Sequence, residues 1–108
     1  MSNEKRSQAK ETKEDTLILD QVKTEKPRRY FVVMHNDDYT TQEFVVKVLI
    51  QFFHKSEQEA HRLMLLVHTQ GKAEVGLYPK DLALTKVKQV TDYAKQNGMP
   101  LLLNISPE

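Results

Sequence analysis

The sequence predicts an α+β fold, an α/β sandwich in which three helices cover a small three-stranded antiparallel sheet in the order βααβαβ. Three observations predict this fold. Apolar residues alternate with a period of two near the C-terminal end of the predicted domain, as they do in half-buried strands, and a β-branched and aromatic run near its N-terminal end favours another strand. Between these ends, apolar residues recur every three or four positions, as they do on one face of a helix. Two Ser/Thr-x-x-Glu sequences precede the helical stretches and mark helix N-termini.

The first strand and the first helix are predicted over the segment 29–53. Residues 29–34 are mostly β-branched or aromatic, which favours a strand. Turn-forming residues at 35–38 end the strand, because Asn and Asp side chains bond to nearby backbone. Thr40 and Glu43 form the first capping box, so we expect the helix to start at Thr40. The predicted buried face comprises Phe44, Val45, Val48, Leu49 and Phe52, and a second apolar face comprises Val46, Ile50 and Phe53.

The second helix and the second strand follow directly. Ser56 and Glu59 form another capping box, and Gly71 provides the helix C-terminal stop. The apolar stripe of this helix comprises Ala60, Leu63, Met64 and Val67. Residues 72–78 alternate weakly and predict a short strand that Pro79 ends.

The third helix and the last strand complete the domain. The spacing predicts a helix over residues 81–96, and Gly98 terminates it. Its inward-facing residues are predicted to be Leu82, Ala83, Val87, Val90 and Ala94. Leu101, Leu103 and Ile105 then alternate in a final strand.

Composition divides the chain into a flexible N-terminal extension, residues 1–27, and a core domain, residues 28–108. Every aromatic residue lies between Tyr30 and Tyr93. A polar segment without aromatic residues buries too little apolar surface to offset the entropy cost of ordering it. We therefore expect the extension to be disordered and the core domain to fold as one unit.

Charge and composition exclude several functional classes. The formal net charge of the 108 residues is only +1, so the basic excess of a nucleic-acid-binding protein is absent. The sequence contains no cysteine, which excludes disulfides and thiolate chemistry. It also contains no apolar stretch long enough to span a bilayer. Its first residues include acids and no hydrophobic stretch, so we expect neither a signal peptide nor a transit peptide. We expect a cytoplasmic protein, active as a monomer, without nucleic-acid or membrane partners.

The polar residues do not form a recognisable catalytic or metal site. His61 and His68 share a helix face but lie about 10 Å apart along the axis, too far to ligate one zinc ion. The three glycines do not have phosphate-loop spacing. The adjacent acids Asp37 and Asp38 are typical of a turn between a strand and a helix. The sequence therefore predicts no metal, no cofactor and no enzymatic activity.

The first two helices carry more apolar residues than one buried face requires. Ordinary packing between these helices and the sheet is one explanation, and a hydrophobic groove for a ligand or partner is the other. Asn36 and Asp37 lead into the first helix, and His68 ends the stripe of the second. A groove bordered by a carboxamide, a carboxylate and an imidazole suits a ligand with an apolar side chain and a cationic head.

These same residues carry a family resemblance. The matching segments are Asn36-Asp-Asp-Tyr-Thr40, Glu43-Phe-Val45, Leu63-Met64-x-x-Val67-His68-x-x-Gly71-Lys72-Ala73, Thr85-Lys86-Val87 and Pro100-Leu-Leu102. Over essentially all of residues 28–108, the chain resembles ClpS, the adaptors of the bacterial Clp protease that recognise N-end-rule degrons.

The resemblance implies a function. Proteins similar to ClpS bind substrates whose first residue is Leu, Phe, Tyr or Trp, and deliver them to a hexameric AAA+ unfoldase, ClpA or a related Clp ATPase. The positions that match the contacts to the substrate α-amino group are Asn36, Asp37 and His68. The positions that match the side-chain pocket are Asp38, Thr40, Gln42, Met64, Val67 and Leu101. The positions that match the unfoldase-docking surface are Asp81 and Lys86.

One position departs from the family pattern. Family members often have Pro-Met after the Asp-Tyr-Thr sequence, whereas this chain has Thr41 and Gln42. In the family that methionine helps to exclude β-branched first residues, so a polar Gln42 leaves the acceptance of Ile and Val open. Without the resemblance, a core role for Met64 is favoured over a pocket role.

An alternative from another class is a non-catalytic interaction domain, similar to the C-terminal domain of the ribosomal stalk protein and binding a translation partner. The combination of Asn36, Asp37 and His68 distinguishes the two, because a stalk-type domain does not require it.

Overall fold

The computed structural model describes residues 27–108, so the flexible extension predicted over residues 1–27 lies outside the described residues except for Pro27. The elements are β1 (Arg29–His35), α1 (Gln42–Phe53), α2 (Glu57–Gln70), β2 (Lys72–Pro79), α3 (Lys80–Gln96) and β3 (Leu102–Pro107). This α+β arrangement confirms the predicted order βααβαβ.

The sheet has β1 at its centre, in the order β2-β1-β3, and both pairings are antiparallel. Met34 lies opposite Ala73 on one side and opposite Leu103 on the other, and all three side chains are buried. Since paired side chains in an antiparallel sheet lie on the same face, these residues form the floor of the core. The register shifts between Val32 and Val33, where β1 and β2 form an irregularity.

The N-terminus of α1 differs by one residue from the prediction. Thr41, not Thr40, is the N-cap, and its side chain accepts a 3.1 Å hydrogen bond from the Phe44 N–H. The Thr40 hydroxyl instead donates to the Asp37 carboxylate at 2.7 Å. The expectation of a helix starting at Thr40 is therefore wrong, because the preceding turn already uses that hydroxyl.

The buried face of α1 is also shifted at its end. Phe53 is 4% exposed and belongs to the core, whereas Phe52 is only partly buried. The sequence pattern predicted the opposite, with Phe52 on the buried face and Phe53 on the second apolar face. Phe52 packs instead at the edge of the core against Tyr93, with the two ring centroids 5.1 Å apart.

The ends of α2 agree with the sequence prediction. The Ser56 side chain accepts a 3.1 Å hydrogen bond from the Glu59 N–H, as expected of an N-cap. Gly71 ends the helix with φ of 90°, a left-handed conformation that L side chains rarely adopt. Its N–H donates to the Val67 carbonyl oxygen at 2.9 Å.

The third helix contributes Ala83, Val90 and Ala94 to the core. The prediction that Leu82 faces inward is wrong, because its side chain is 44% exposed. The Lys86 ammonium donates to the Phe52 carbonyl oxygen at 2.8 Å. Because the last turn of α1 contains no basic residue, this bond supplies a cation to the negative end of α1.

Among residues 27–108, no helix combines the length and the hydrophobicity that crossing a bilayer requires. Over the same range, no group of three or more His, Asp or Glu side chains is arranged to hold a metal ion.

Candidate functional site

The loop between β1 and α1 is organised by the Asp37 carboxylate. Its Oδ1 accepts hydrogen bonds from the N–H groups of Tyr39 and Thr40, at 2.9 and 2.7 Å. Its Oδ2 accepts from the Thr40 hydroxyl at 2.7 Å. Since each carboxylate oxygen has two acceptor positions, these contacts occupy both positions of Oδ1 and one of Oδ2. One acceptor position on Oδ2 therefore remains for a ligand.

The same contacts fix the charge of Asp37. Partial burial raises the pKa of the carboxyl, but the hydrogen bonds from Thr40 and Tyr39 outweigh burial and lower the pKa overall. The Asp37 side chain is consequently an anion at neutral pH, next to the N-terminus of α1.

The end of α2 lies beside this loop because Gly71 joins the two segments. The Gly71 carbonyl oxygen accepts a 2.9 Å hydrogen bond from the Asn36 N–H. His68 is exposed and lies in the last turn of α2, three residues before Gly71. The connection brings Asn36, Asp37 and His68 to one cavity, although 31 positions separate His68 from Asp37 in the sequence.

This cavity has a volume of about 210 Å³. It is lined by Asn36, Asp37, Asp38, Thr40, Gln42, Val45, Met64, Val67 and His68. All of these except Val45 were singled out from the sequence as amine-binding or pocket residues. Val45 was assigned only to the buried face of α1. Its position three residues after Gln42, on the same side of the helix, is the sequence feature that could have identified it.

The cavity combines two kinds of surface. Val45, Met64 and Val67 are between 3 and 8% exposed and form an apolar floor. The Asn36 amide oxygen and the remaining acceptor position of Asp37 are hydrogen-bond acceptors at the border, and the His68 imidazole places its ring nitrogens at the same border. This arrangement suits a ligand that has a compact cation or donor directly attached to an apolar side chain.

Three residues predicted from the family resemblance do not line this cavity. Leu101 immediately precedes β3, is 5% exposed and packs within the core cluster. Asp81 and Lys86 lie on α3, on a different part of the molecule. Asp81 is exposed in the first turn of α3, while Lys86 is partly buried through its contact with Phe52.

A larger cavity, of about 520 Å³, lies on the face of the sheet opposite the buried side chain of Met34. Its lining includes Val33, His35 and Asn104, and the His35 Nε2 lies 3.2 Å from the Asn104 Oδ1. None of the sequence-predicted site residues lines it, and its walls are mainly strand side chains on an open surface. The smaller cavity between the β1–α1 loop and α2 is therefore the candidate functional site.

Comparisons with known families and sequences agree with one another. Residues 25–104 match the family model of the ATP-dependent Clp protease adaptor protein ClpS. The chain is 48% identical over 93 residues to the ClpS adapter protein of Deinococcus radiodurans, covering 86% of this chain and 82% of the relative. It is 50% identical over 86 residues to the ClpS adapter protein of Myxococcus xanthus, covering 80% of each chain.

A solved structure has a similar fold. The structure of Agrobacterium tumefaciens ClpS2 bound to L-phenylalaninamide matches with a TM-score of 0.74 and 42% sequence identity. The match covers 77% of this chain and all of the ClpS2 chain.

Proposed function

Because the chain belongs to the ClpS family of Clp protease adaptors, we propose that it binds N-degron substrates and delivers them to a Clp AAA+ unfoldase for degradation. Its substrates carry a free α-amino group and Leu, Phe, Tyr or Trp as the first residue. The protein performs no catalysis itself. The observation that carries this proposal is the cavity in which the acceptors of Asn36, Asp37 and His68 border an apolar floor. The family match favours this function over the stalk-type alternative.

The polar border accounts for recognition of the amine. A free α-amino group has a reference pKa of about 7.7–8.0 and is mostly protonated at neutral pH. An ammonium group has three donors, and Asn36, Asp37 and His68 supply three acceptors. L-phenylalaninamide, the molecule bound to the Agrobacterium tumefaciens ClpS2, likewise has a free amine and an apolar aromatic side chain.

The apolar floor accounts for recognition of the first side chain. Burial of one Leu or Phe side chain contributes about 1.5–3 kcal/mol, comparable to one charge-assisted hydrogen bond. Together these contributions support an affinity around micromolar after the costs of association. In this assignment Asp38, Thr40 and Gln42 border the side-chain pocket, and Leu101 supports it from within the core.

The unfoldase-docking surface is proposed on α3. Asp81 is exposed at the start of this helix, and the neighbouring side chains of Leu82 and Leu84 are 44% and 47% exposed. Apolar surface next to a charge is a suitable contact for another protein. Lys86 contributes to this surface while it also holds α1 through the Phe52 carbonyl oxygen. ClpA, or a related Clp ATPase, is the proposed partner.

A degradation assay tests the proposed function. A stable reporter protein with an N-terminal Phe is incubated with a purified Clp unfoldase, its peptidase and ATP. Adding this protein is expected to accelerate degradation of the reporter, and a matched reporter with an N-terminal Ala is expected not to respond. The Asp81→Asn variant is expected to bind the degron normally but to deliver it about fivefold more weakly, the effect of losing one exposed ion pair.

The control for this variant is Asp92→Asn, which neutralises another exposed acid on α3. In the structure Asp92 pairs with Lys88 at 3.1 Å. Equal delivery by both variants would argue against a docking role for Asp81. Equal degradation of the Phe and Ala reporters would argue against the proposed function as a whole.

A second prediction concerns the glycine that joins the two halves of the site. Gly71→Ala places a side chain at φ of 90°, and no atom outside the adjacent backbone lies within 4 Å of the new Cβ, so its cost is conformational. We expect a stability loss of about 1 kcal/mol and an affinity several-fold weaker for a Phe-initiated peptide, because relaxation of Gly71 displaces Asn36. Chemical unfolding and peptide titration measure the two effects.

Gly98→Ala is the matched control. Gly98 has φ of 71°, its Cβ position is equally open, and its N–H donates to the carbonyl oxygen of Lys95, which does not line the cavity. This variant is expected to lose similar stability and to keep full affinity. If both variants bound the peptide equally well, Gly71 would have no role in positioning the site.

A further inference from the structure

A second cavity adjoins the proposed degron pocket between α1 and α2. It has a volume of about 360 Å³ and is lined by Gln42, Glu43, Val46, His61 and Met64. Two of these residues, Gln42 and Met64, also line the degron pocket. Their side chains therefore form the wall between two adjacent cavities in one interhelical groove.

The spacing of the two cavities matches an extended peptide. His61, Met64 and His68 follow one another on a single face of α2, and Met64 and His68 are about 6 Å apart along the axis. In an extended chain, the side chains of residues 1 and 3 lie on the same side about 6.6–6.8 Å apart. A peptide with its amine at His68 and its first side chain in the degron pocket thus places its third side chain at the second cavity.

The lining of the second cavity indicates the chemistry of that side chain. Val46 is half-buried and Met64 is buried, so they offer apolar contact to an aliphatic stem. His61 donates from its Nδ1 to the Glu57 carbonyl oxygen at 2.9 Å, because a carbonyl can only accept. The exposed Glu43 carboxylate lines the same cavity as the His61 ring.

The cations of neighbouring residues have other partners. None of the three ion pairs among residues 27–108 includes Glu43. Lys47, four residues later on α1, places its Nζ 5.8 Å from the centroid of the Tyr93 ring. Arg62 is paired with Glu59 at 2.6 Å. Within the part of the chain that the structure describes, no ion pair therefore occupies the carboxylate of Glu43.

We propose that the cavity formed by Gln42, Glu43, Val46, His61 and Met64 is a subsite for the third residue of the degron, with a preference for Lys or Arg. The proposal rests on the proposed function, since the first residue must occupy the adjacent pocket. A Lys or Arg side chain fits both parts of the lining, with its methylene groups on Val46 and Met64 and its charged end at Glu43.

Peptide titration with the full chain tests the subsite. The probes are fluorescent peptides with an N-terminal Phe that differ only in residue 3, which is Ala, Lys or Glu, and one peptide that carries Lys at position 6 instead. Lys at position 3 is expected to strengthen binding about three- to fivefold over Ala, the effect of an exposed ion pair. Lys at position 6 is expected to have a smaller effect. Glu43→Gln is expected to abolish the preference, and Glu74→Gln, which removes an exposed acid on β2, is expected to preserve it.

The outcomes separate this inference from the function on which it rests. If the Phe peptide with Ala at position 3 binds but Lys gives no gain, or if Glu43→Gln keeps the gain, the subsite does not exist. If that Ala peptide does not bind at all, the proposed degron function fails, and the subsite fails with it.

Discussion

Replacing Asp37 by alanine is expected to weaken the binding of a Phe-initiated peptide by about a hundredfold. One charge-assisted hydrogen bond to the ammonium contributes about 1.5–3 kcal/mol, and each 1.4 kcal/mol is a factor of ten. The variant also loses the three hydrogen bonds that order residues 37–40 at the mouth of the cavity. Isothermal titration of the same peptide with both proteins measures the difference.

Asp37→Asn removes the negative charge of residue 37 but keeps an acceptor for the hydrogen bonds that order the β1–α1 loop. Its side-chain oxygen can still accept from the Tyr39 and Thr40 N–H groups, but the carboxamide is neutral and turns a donor toward the ammonium. We expect a loss of about tenfold or more with a nearly unchanged melting temperature. An Asn variant that bound as tightly as the natural sequence would show that Asp37 only orders the loop.

The pH dependence of Asp37 follows from the direction of its pKa. Burial raises the pKa, but the hydrogen bonds from Thr40 and Tyr39 lower it overall. A carboxylate with a lowered folded-state pKa contributes stability fully above its unfolded-state pKa, which is about 3.9 for Asp, and loses it as pH falls through the folded-state value. The charge of Asp37 is thus constant between pH 5 and 7, and we expect no change in affinity from this residue over that range.

Met64→Ala is expected to change both stability and selectivity. Met64 is 8% exposed, belongs to the core cluster and lines both cavities. Truncation of a buried Met costs 2–5 kcal/mol, and we expect about 2 kcal/mol because part of this side chain already faces open space. The enlarged pocket is expected to improve binding of Ile- and Val-initiated peptides relative to Phe by about tenfold.

Leu63→Ala is the matched control for this change. Leu63 precedes Met64 in α2, is 3% exposed and lines neither cavity. The control is expected to lose stability without altering the ranking of Phe-, Leu-, Ile- and Val-initiated peptides. A ranking that Met64→Ala also left unchanged would assign Met64 to the core alone.

Local patterns were sufficient to predict the order of the elements. Helix caps and apolar stripes depend only on residues close together in the chain, so they can be recognised in the sequence. Examples are the caps at Ser56 and Gly71 and the helical stripe through Leu63 and Val67. The central position of β1 in the sheet could not be predicted, because strand order depends on long-range pairing rather than on local periodicity.

The errors in the predicted fold also have physical causes. The choice between Thr40 and Thr41 as the cap of α1 depended on whether Asp37 would bind the Thr40 hydroxyl. The exchange of Phe52 and Phe53 arose because Phe52 packs against Tyr93 of α3, which is distant in sequence. In both cases a turn contact or a tertiary contact determined which of two adjacent, chemically similar residues caps the helix or enters the core.

The candidate site was predictable only in part. Asn36, Asp37 and His68 were singled out as a border for a cationic ligand, but their meeting at one cavity depends on the hydrogen bond between Asn36 and Gly71. No local pattern contains that contact. The degron itself was suggested only by the resemblance to ClpS.

The proposed function depends above all on recognition of a free α-amino group, which acetylation of the peptide removes. Two fluorescent peptides of identical sequence, beginning with Phe, are titrated with the full chain at neutral pH, one with a free amine and one acetylated. Acetylation removes the positive charge and two of the three donors that Asn36, Asp37 and His68 are proposed to bind. The free peptide is expected to bind with a Kd around micromolar and the acetylated peptide at least about a hundredfold more weakly. Equal affinity for the two peptides would show that the protein does not recognise a free α-amino group.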